Sequence, residues 1–127
     1  MPNQILPGKT IGIIGGGHVA RMIALEAKKM GYQIGILDAD PACPAGQLAD
    51  WQITKKYTDF DALTDFAAKS DVLTFESEAV DTMLLTQINP YIAIPQDPDS
   101  LSITQDRLNK KAFLESLNIN VTPYATI

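Results

Sequence analysis

Short apolar runs at residues 10–14, 34–37, 72–75 and 92–94, with a briefer one at 51–53, are too short for helices, are bounded by turn residues, and predict strands. Between them the apolar positions change to three- and four-residue spacing. Val19, Met22, Ile23, Ala27 and Met30 predict an amphipathic helix over 18–30, with Gly31 where a left-handed cap belongs. Thr58 and Asp61 have capping-box spacing ahead of a second helix carrying Phe60, Leu63, Phe66 and Ala67. Val80, Met83, Leu84, Gln87 and Ile88 mark a third, and Ser102 with Gln105 suggests a box before a fourth that runs through Leu117. Strands alternating with helices predict an α/β fold, a Rossmann-like doubly wound parallel sheet buried on both faces. The final stretch NINVTPYATI, residues 118–127, is either an edge strand of this sheet or a linker and strand leading onward.

The chain has 127 residues, 46% hydrophobic and 20% charged, which suits one domain with its own core. The net charge is −5, and the ten Lys and Arg form no run or stripe, so the electrostatic footprint of nucleic-acid binding is missing. No apolar run approaches the roughly 18 residues of a membrane span, and residues 1–9 lack the charged and apolar regions of a signal peptide; a cytoplasmic protein is expected. The single cysteine, Cys43, has no partner for an internal disulfide. Its acidic neighbours Asp38 and Asp40 work against a thiolate, so a structural role is expected.

Candidate chemistry begins with the three glycines after the first strand. A strand, then Gly15, Gly16 and Gly17, then a helix gives a turn that a ligand can approach closely, with free amides and the positive end of the helix dipole favouring an anion. Gly15, Gly17 and Ala20 also spell G-x-G-x-x-A, and Asp38 lies about 20 residues on, where a ribose-binding acid stands in NAD(P)-binding folds. The same small residues also serve simple helix-on-strand packing. His18, the only histidine, is either a neutral hydrogen-bonding group at the ligand rim or an idle surface imidazole. Glu76 and Glu78 follow the strand at 72–75, at the carboxyl edge where parallel sheets bind ligands. They read as acceptors for an amine or ribose hydroxyls, or as a solvated loop end. Arg107 and Lys111, four residues apart, share a helix face that could meet a phosphate or simply face water.

Four stretches together carry a family resemblance: IGIIGGGHVARM, LDADPACPAGQLAD, DVLTFESEAV and QDRLNKKAFLESLNINVTPYA. In this order and spacing they resemble the amino-terminal, pre-ATP-grasp part of carboxyaminoimidazole ribonucleotide synthetases, the ATPase subunit of phosphoribosylaminoimidazole carboxylase. The likeness runs from about Thr10 to the chain's end; biotin carboxylase and the formate-dependent glycinamide ribonucleotide transformylase share the general plan. Members usually carry Gln-Leu-Gly after the glycines, where this chain has His18, Val19 and Ala20.

The resemblance implies a ligase that forms carboxyphosphate from ATP and bicarbonate, with magnesium (Mg) assisting, and transfers the carboxyl group to the amine of aminoimidazole ribonucleotide. It implies that amides near Gly16, Gly17, His18 and Val19, with the Glu76 carboxylate, hold the ribonucleotide, and that Arg107 contacts ATP. It implies no catalytic residue and no metal ligand in this chain. Residues 1–120 are then a substrate-binding domain, 121–127 begin the passage to an ATP-grasp domain, the isolated chain is inactive, and the whole enzyme is a homodimer. Two other readings stand beside it: an NAD(P)-binding module of an oxidoreductase, against which Asp38 opens a Pro-rich loop and no second nucleotide half follows, and a dimerisation scaffold.

Overall fold

The computed structural model describes residues 4–124. Short, mainly apolar segments form β1 (Thr10–Ile14), β2 (Gln33–Leu37), β3 (Trp51–Ile53) and β4 (Val72–Phe75), all parallel, in the order β3-β2-β1-β4. The helices are α1 (His18–Lys29), α2 (Phe60–Ala68), α3 (Thr82–Ile88), α4 (Pro98–Gln105) and α5 (Arg107–Ser116), with one 3₁₀ turn at Pro44–Gln47. Successive strand residues point to opposite faces. Ile14, Leu37 and Leu73 therefore join Leu63, Phe66 and Leu85 in one core, while Ile13, Ile34 and Ile36 join Ala20, Ala24, Ala27 and Cys43 in the other. Both faces of the sheet are buried, as the alternation of strands and helices predicts.

Several details depart from the sequence reading. The face that α1 buries is Ala20, Ala24 and Ala27, whereas Val19, Met22, Ile23 and Met30 are exposed. Small side chains let the helix sit close on Ile13, Ile36 and the 3₁₀ turn, and this close packing outweighs the pull of the bulkier stripe. The helix stops as predicted: Gly31 has φ +92°, its N–H donates to Lys28 O, and Tyr32 N–H donates to Ala27 O, the bonds of a Schellman cap. Asp59, not Thr58, caps α2, its carboxylate accepting from Ala62 N–H. Ser102 lies inside α4 and caps nothing; the single predicted fourth helix is two, because Asp106 takes an extended conformation (φ −104°, ψ 122°) and caps α5 through Leu108 N–H and Asn109 N–H.

The strand expected at 92–94 is reduced to one bridge between Val72 and Ala93. Pro95 has no N–H to continue a ladder, and the Gln96 side chain takes over: its Oε1 accepts from Phe75 N–H at 3.1 Å and from the Thr74 hydroxyl, and its Nε2 donates to Phe75 O. Residues 118–124 form no strand. They fold back on α5, where Lys111 Nζ donates to Thr122 Oγ1 at 2.8 Å and Tyr124 OH donates to Glu115 at 2.8 Å. Residues 125–127 of the expected onward segment, and residues 1–3, lie outside the described residues. Among the described residues no helix is long and apolar enough to cross a membrane.

Candidate functional site

β1 is central, so the chain leaving its carboxyl end is flanked by the ends of β2 and β4. Consecutive strands lie on one side and a crossover brings β4 to the other, which makes this the switch point where open parallel sheets bind ligands. The glycine turn is pinned there from the β2 side. Gly15, at φ +96°, donates its N–H to Leu37 O at 2.9 Å; Gly16 donates to the Asp38 carboxylate at 2.8 Å; and Ala45 N–H donates to Gly16 O at 2.9 Å. Cys43 packs beneath the turn so closely that a Cβ on Gly16 would lie 2.5 Å from its Sγ. The thiol is 2% exposed, and burial first, then the charges of Asp38 and Asp40, push its pKa up, which bears out the structural reading of Cys43.

From the β4 side comes Glu76. Its N–H donates to Ile14 O at 3.0 Å, extending the ladder by one residue and turning the carboxylate across the glycines. A Cβ on Gly17 would lie 2.7 Å from one carboxylate oxygen, and one on Gly15 would lie 2.9 Å from the other. Among the described residues nothing accepts from the amides of Gly17, His18 or Val19, and no side chain caps α1. The turn therefore presents hydrogen-bond donors and an acceptor carboxylate side by side. Such a mouth suits a ligand with both an acceptor and an N–H or O–H donor better than a bare polyanion, which the Glu76 charge would repel.

Gly16 and Asp38 differ from expectation. The Gly16 amide is not free, being held by Asp38, so Gly16 contributes close approach rather than a donor. Asp38 is not open to a ribose either: one oxygen accepts from Gly16 N–H and from Tyr57 OH at 3.2 Å, the other from Asp40 N–H at 2.9 Å. The Tyr57 phenol is half-buried, and burial together with the Asp38 charge pushes its pKa up to about 12, so it stays protonated and donates. The dinucleotide reading loses its ribose ligand. No sequence pattern marks Tyr57; Asp38 is conspicuous only by its place at a strand end.

His18 is exposed at the first position of α1, and Val19 is half exposed beside it. Arg107 opens α5 and lines, with Glu78, Gln105, Lys110 and Lys111, a cleft of about 450 Å³. The shared face of Arg107 and Lys111 is thus realised in a cationic cleft, and Glu78 faces this cleft while Glu76 faces the glycines. Among the described residues no three His, Cys, Asp or Glu side chains are placed to hold a metal ion.

Comparison with known proteins identifies the family of the fold. The family model described as the ribonucleotide synthetase preATP-grasp domain matches residues 8–105. The N5-carboxyaminoimidazole ribonucleotide synthase of Bacillus subtilis is 39% identical over all of this chain and 34% of its own length; that of Brucella melitensis is 40% identical over 98% and 34%. A crystal structure of an N5-carboxyaminoimidazole ribonucleotide synthetase with ADP superposes with a TM-score of 0.94 at 43% identity, over 98% of this chain and 33% of the other. The Aspergillus clavatus synthase, in complex with ADP and 5-aminoimidazole ribonucleotide, gives 0.79 at 30% identity, over 87% and 30%. The chain thus spans about a third of the length of the curated relatives it matches. With the parallel sheet, the glycine turn and its facing carboxylate in the places the motifs assign them, the chain belongs to the preATP-grasp domain family of the ribonucleotide synthetases.

Proposed function

We propose that this domain is the ribonucleotide-binding wall of an ATP-dependent ligase that carboxylates aminoimidazole ribonucleotide. The observation that carries the reading is the Glu76 carboxylate set against Gly15 and Gly17, beside the open amides of Gly17, His18 and Val19. The amides would donate to ribose or phosphate oxygens, aided by the α1 dipole, and Glu76 would accept from the substrate's amine or a ribose hydroxyl. Gly16 supports the turn by leaving room for Cys43. The cleft edge formed by Arg107, Lys110 and Lys111 suits the phosphates of ATP.

In the proposed reaction ATP phosphorylates bicarbonate, the substrate amine forms a bond to the activated carbon, and phosphate and a proton leave. This chain binds and orients; it supplies no catalytic residue. Magnesium would accompany ATP, held by its phosphates, and no role above depends on it. The domain would extend to about residue 120, with 121–127 leading towards an ATP-grasp domain. The whole enzyme would act in the cytoplasm as a homodimer, for which the exposed apolar positions Val19, Met22, Ile23 and Met30 of α1 offer a surface.

The test is a titration of the ¹⁵N-labelled chain with aminoimidazole ribonucleotide and, separately, NAD, following the amides of Gly15 to Val19 and Glu76. Saturable shifts with the ribonucleotide alone are expected; shifts with NAD alone would return Asp38 to a ribose role and sink the proposal. The same preparation should release no phosphate from ATP in the presence of ribonucleotide and bicarbonate, and turnover above a blank would contradict the assignment of catalysis to other domains.

A further inference from the structure

The segment from Glu76 to Val80 leaves the glycine turn and arrives at the cationic cleft, and one side chain holds its far end. Gln105, the last residue of α4, donates from Nε2 to the carbonyls of Glu78 and Val80, each at 2.7 Å. A carboxamide carries two N–H hydrogens, so its whole donor capacity is committed to this turn of chain. The near end of the segment is fixed where Glu76 N–H donates to Ile14 O, and its middle is tightened by Ser77 Oγ, which accepts from Ala79 N–H at 3.1 Å. Val80 is buried in the core, so the far end cannot swing away freely. Two residues beyond Gln105 stands Arg107. Its direction is set at the corner between α4 and α5, where Asp106 is extended and caps the second helix with its carboxylate.

The geometry points to Gln105 as a positioning residue that couples the two halves of the site: movement of the segment behind Glu76 passes through its carboxamide to the α4–α5 corner and so to Arg107. This rests on the assignment of Glu76 to the ribonucleotide and Arg107 to ATP. Because coupling between binding sites is reciprocal, a nucleotide at Arg107 then changes affinity on the ribonucleotide side by the same factor as the reverse. Neither neighbouring lysine offers this route: Lys111 is turned to Thr122 and lies 5.5 Å over the Tyr124 ring, and Lys110 lines the cleft with no side-chain hydrogen bond among the described residues.

The coupling is readable without any ligand. Ser77→Ala removes the bond that tightens the segment, and the readout is the backbone amides of residues 106–108 and the Arg107 Nε–H in ¹⁵N spectra of the 127-residue chain. In the Gln105 background, Ser77→Ala should move the signals at 78–80 and also those at 106–108. In a Gln105→Met background, which keeps the stem and removes both donors, the movement at 78–80 should remain and that at 106–108 should be lost. Gln105→Glu has the same shape without donors and should give the same loss; it serves if the methionine variant misfolds. Equal movement at 106–108 in both backgrounds, or none in either, overturns the proposal. Repeating the comparison with aminoimidazole ribonucleotide in place of Ser77→Ala separates the two readings: silence at Gly17 to Val19 would sink the ribonucleotide assignment, while the ligand-free result would still decide the coupling.

Discussion

Gly35 and Gly17 are both crowded, but by different neighbours. Gly35 pairs with Trp51 across β2 and β3, and a Cβ there would lie 2.3 to 2.6 Å from atoms of the indole ring. Retreat of the ring would disturb its edge-on contact with Phe66, 5.3 Å between centroids. Gly35→Ala should therefore cost about 1–3 kcal/mol, the usual penalty for overpacking a core, visible as a lower urea midpoint with an unchanged slope. At Gly17 the obstacle is the tip of the flexible Glu76 side chain. Gly17→Ala should leave the midpoint near that of the parent while moving Glu76 off the turn, and a midpoint as low as that of Gly35→Ala would contradict this distinction. Gly15, Gly16 and Gly17 are plain in the sequence, but what crowds them is not: Cys43 reaches Gly16 and Glu76 reaches Gly15 and Gly17 from distant parts of the chain, as Trp51 reaches Gly35.

Where elements meet, Asp50 ties three together. Its carboxylate accepts from Ile34 N–H of β2 at 2.8 Å and pairs at 3.0 Å with Lys28 in the last turn of α1, and it directly precedes β3. The Ile34 amide first, then Lys28, hold its pKa below the ordinary 3.8 despite an opposing effect of burial. A depressed folded pKa means that the Asp50 contribution to stability is fully present above 3.8 and is lost as pH falls through the lower folded value. Asp50→Asn should accordingly lower stability at pH 7 and flatten the acid limb of the stability curve; an acid limb as steep as the parent's would refute the role. The pair is about one-third exposed, so its effect should also shrink with salt. Strands β1, β2 and β4 were legible because their apolar runs are short and bounded. The inward face of α1 was not, since three alanines at helical spacing give a weaker pattern than the valine, isoleucine and methionines that remain outside. The break at Asp106 was hidden because apolar spacing continues through it and only the extended backbone reveals the second cap.

Over the whole molecule, the sheet and its two cores are complete before α5 begins. No residue of α5 is buried, it packs mainly against α4, and Phe113, Leu117 and Ile119 remain about half exposed. The residues matched by the family model end at 105, in agreement with this division. A chain cut after Asp106 should still unfold cooperatively, with its thermal midpoint lowered by no more than about 4–8 °C, the shift roughly 1 kcal/mol produces in a domain of this size. Loss of cooperativity, followed by circular dichroism, would make α5 part of the core. The candidate site divides along the same line. The glycine turn, Glu76 and Gln105 belong to the self-sufficient part and Arg107 to α5; the turn and Glu76 were legible from motif spacing, whereas the capping-box pattern that marks Gln105 says nothing of its bonds to the Glu78 and Val80 carbonyls. The Gln96 side chain, which stands where a fifth strand was expected, has one more consequence. Together with Ala93 O on Leu73 N–H, it occupies the outward amides of β4, so a strand from a neighbouring molecule finds no open ladder there, and copies crowded together cannot grow into a shared fibre along that rim.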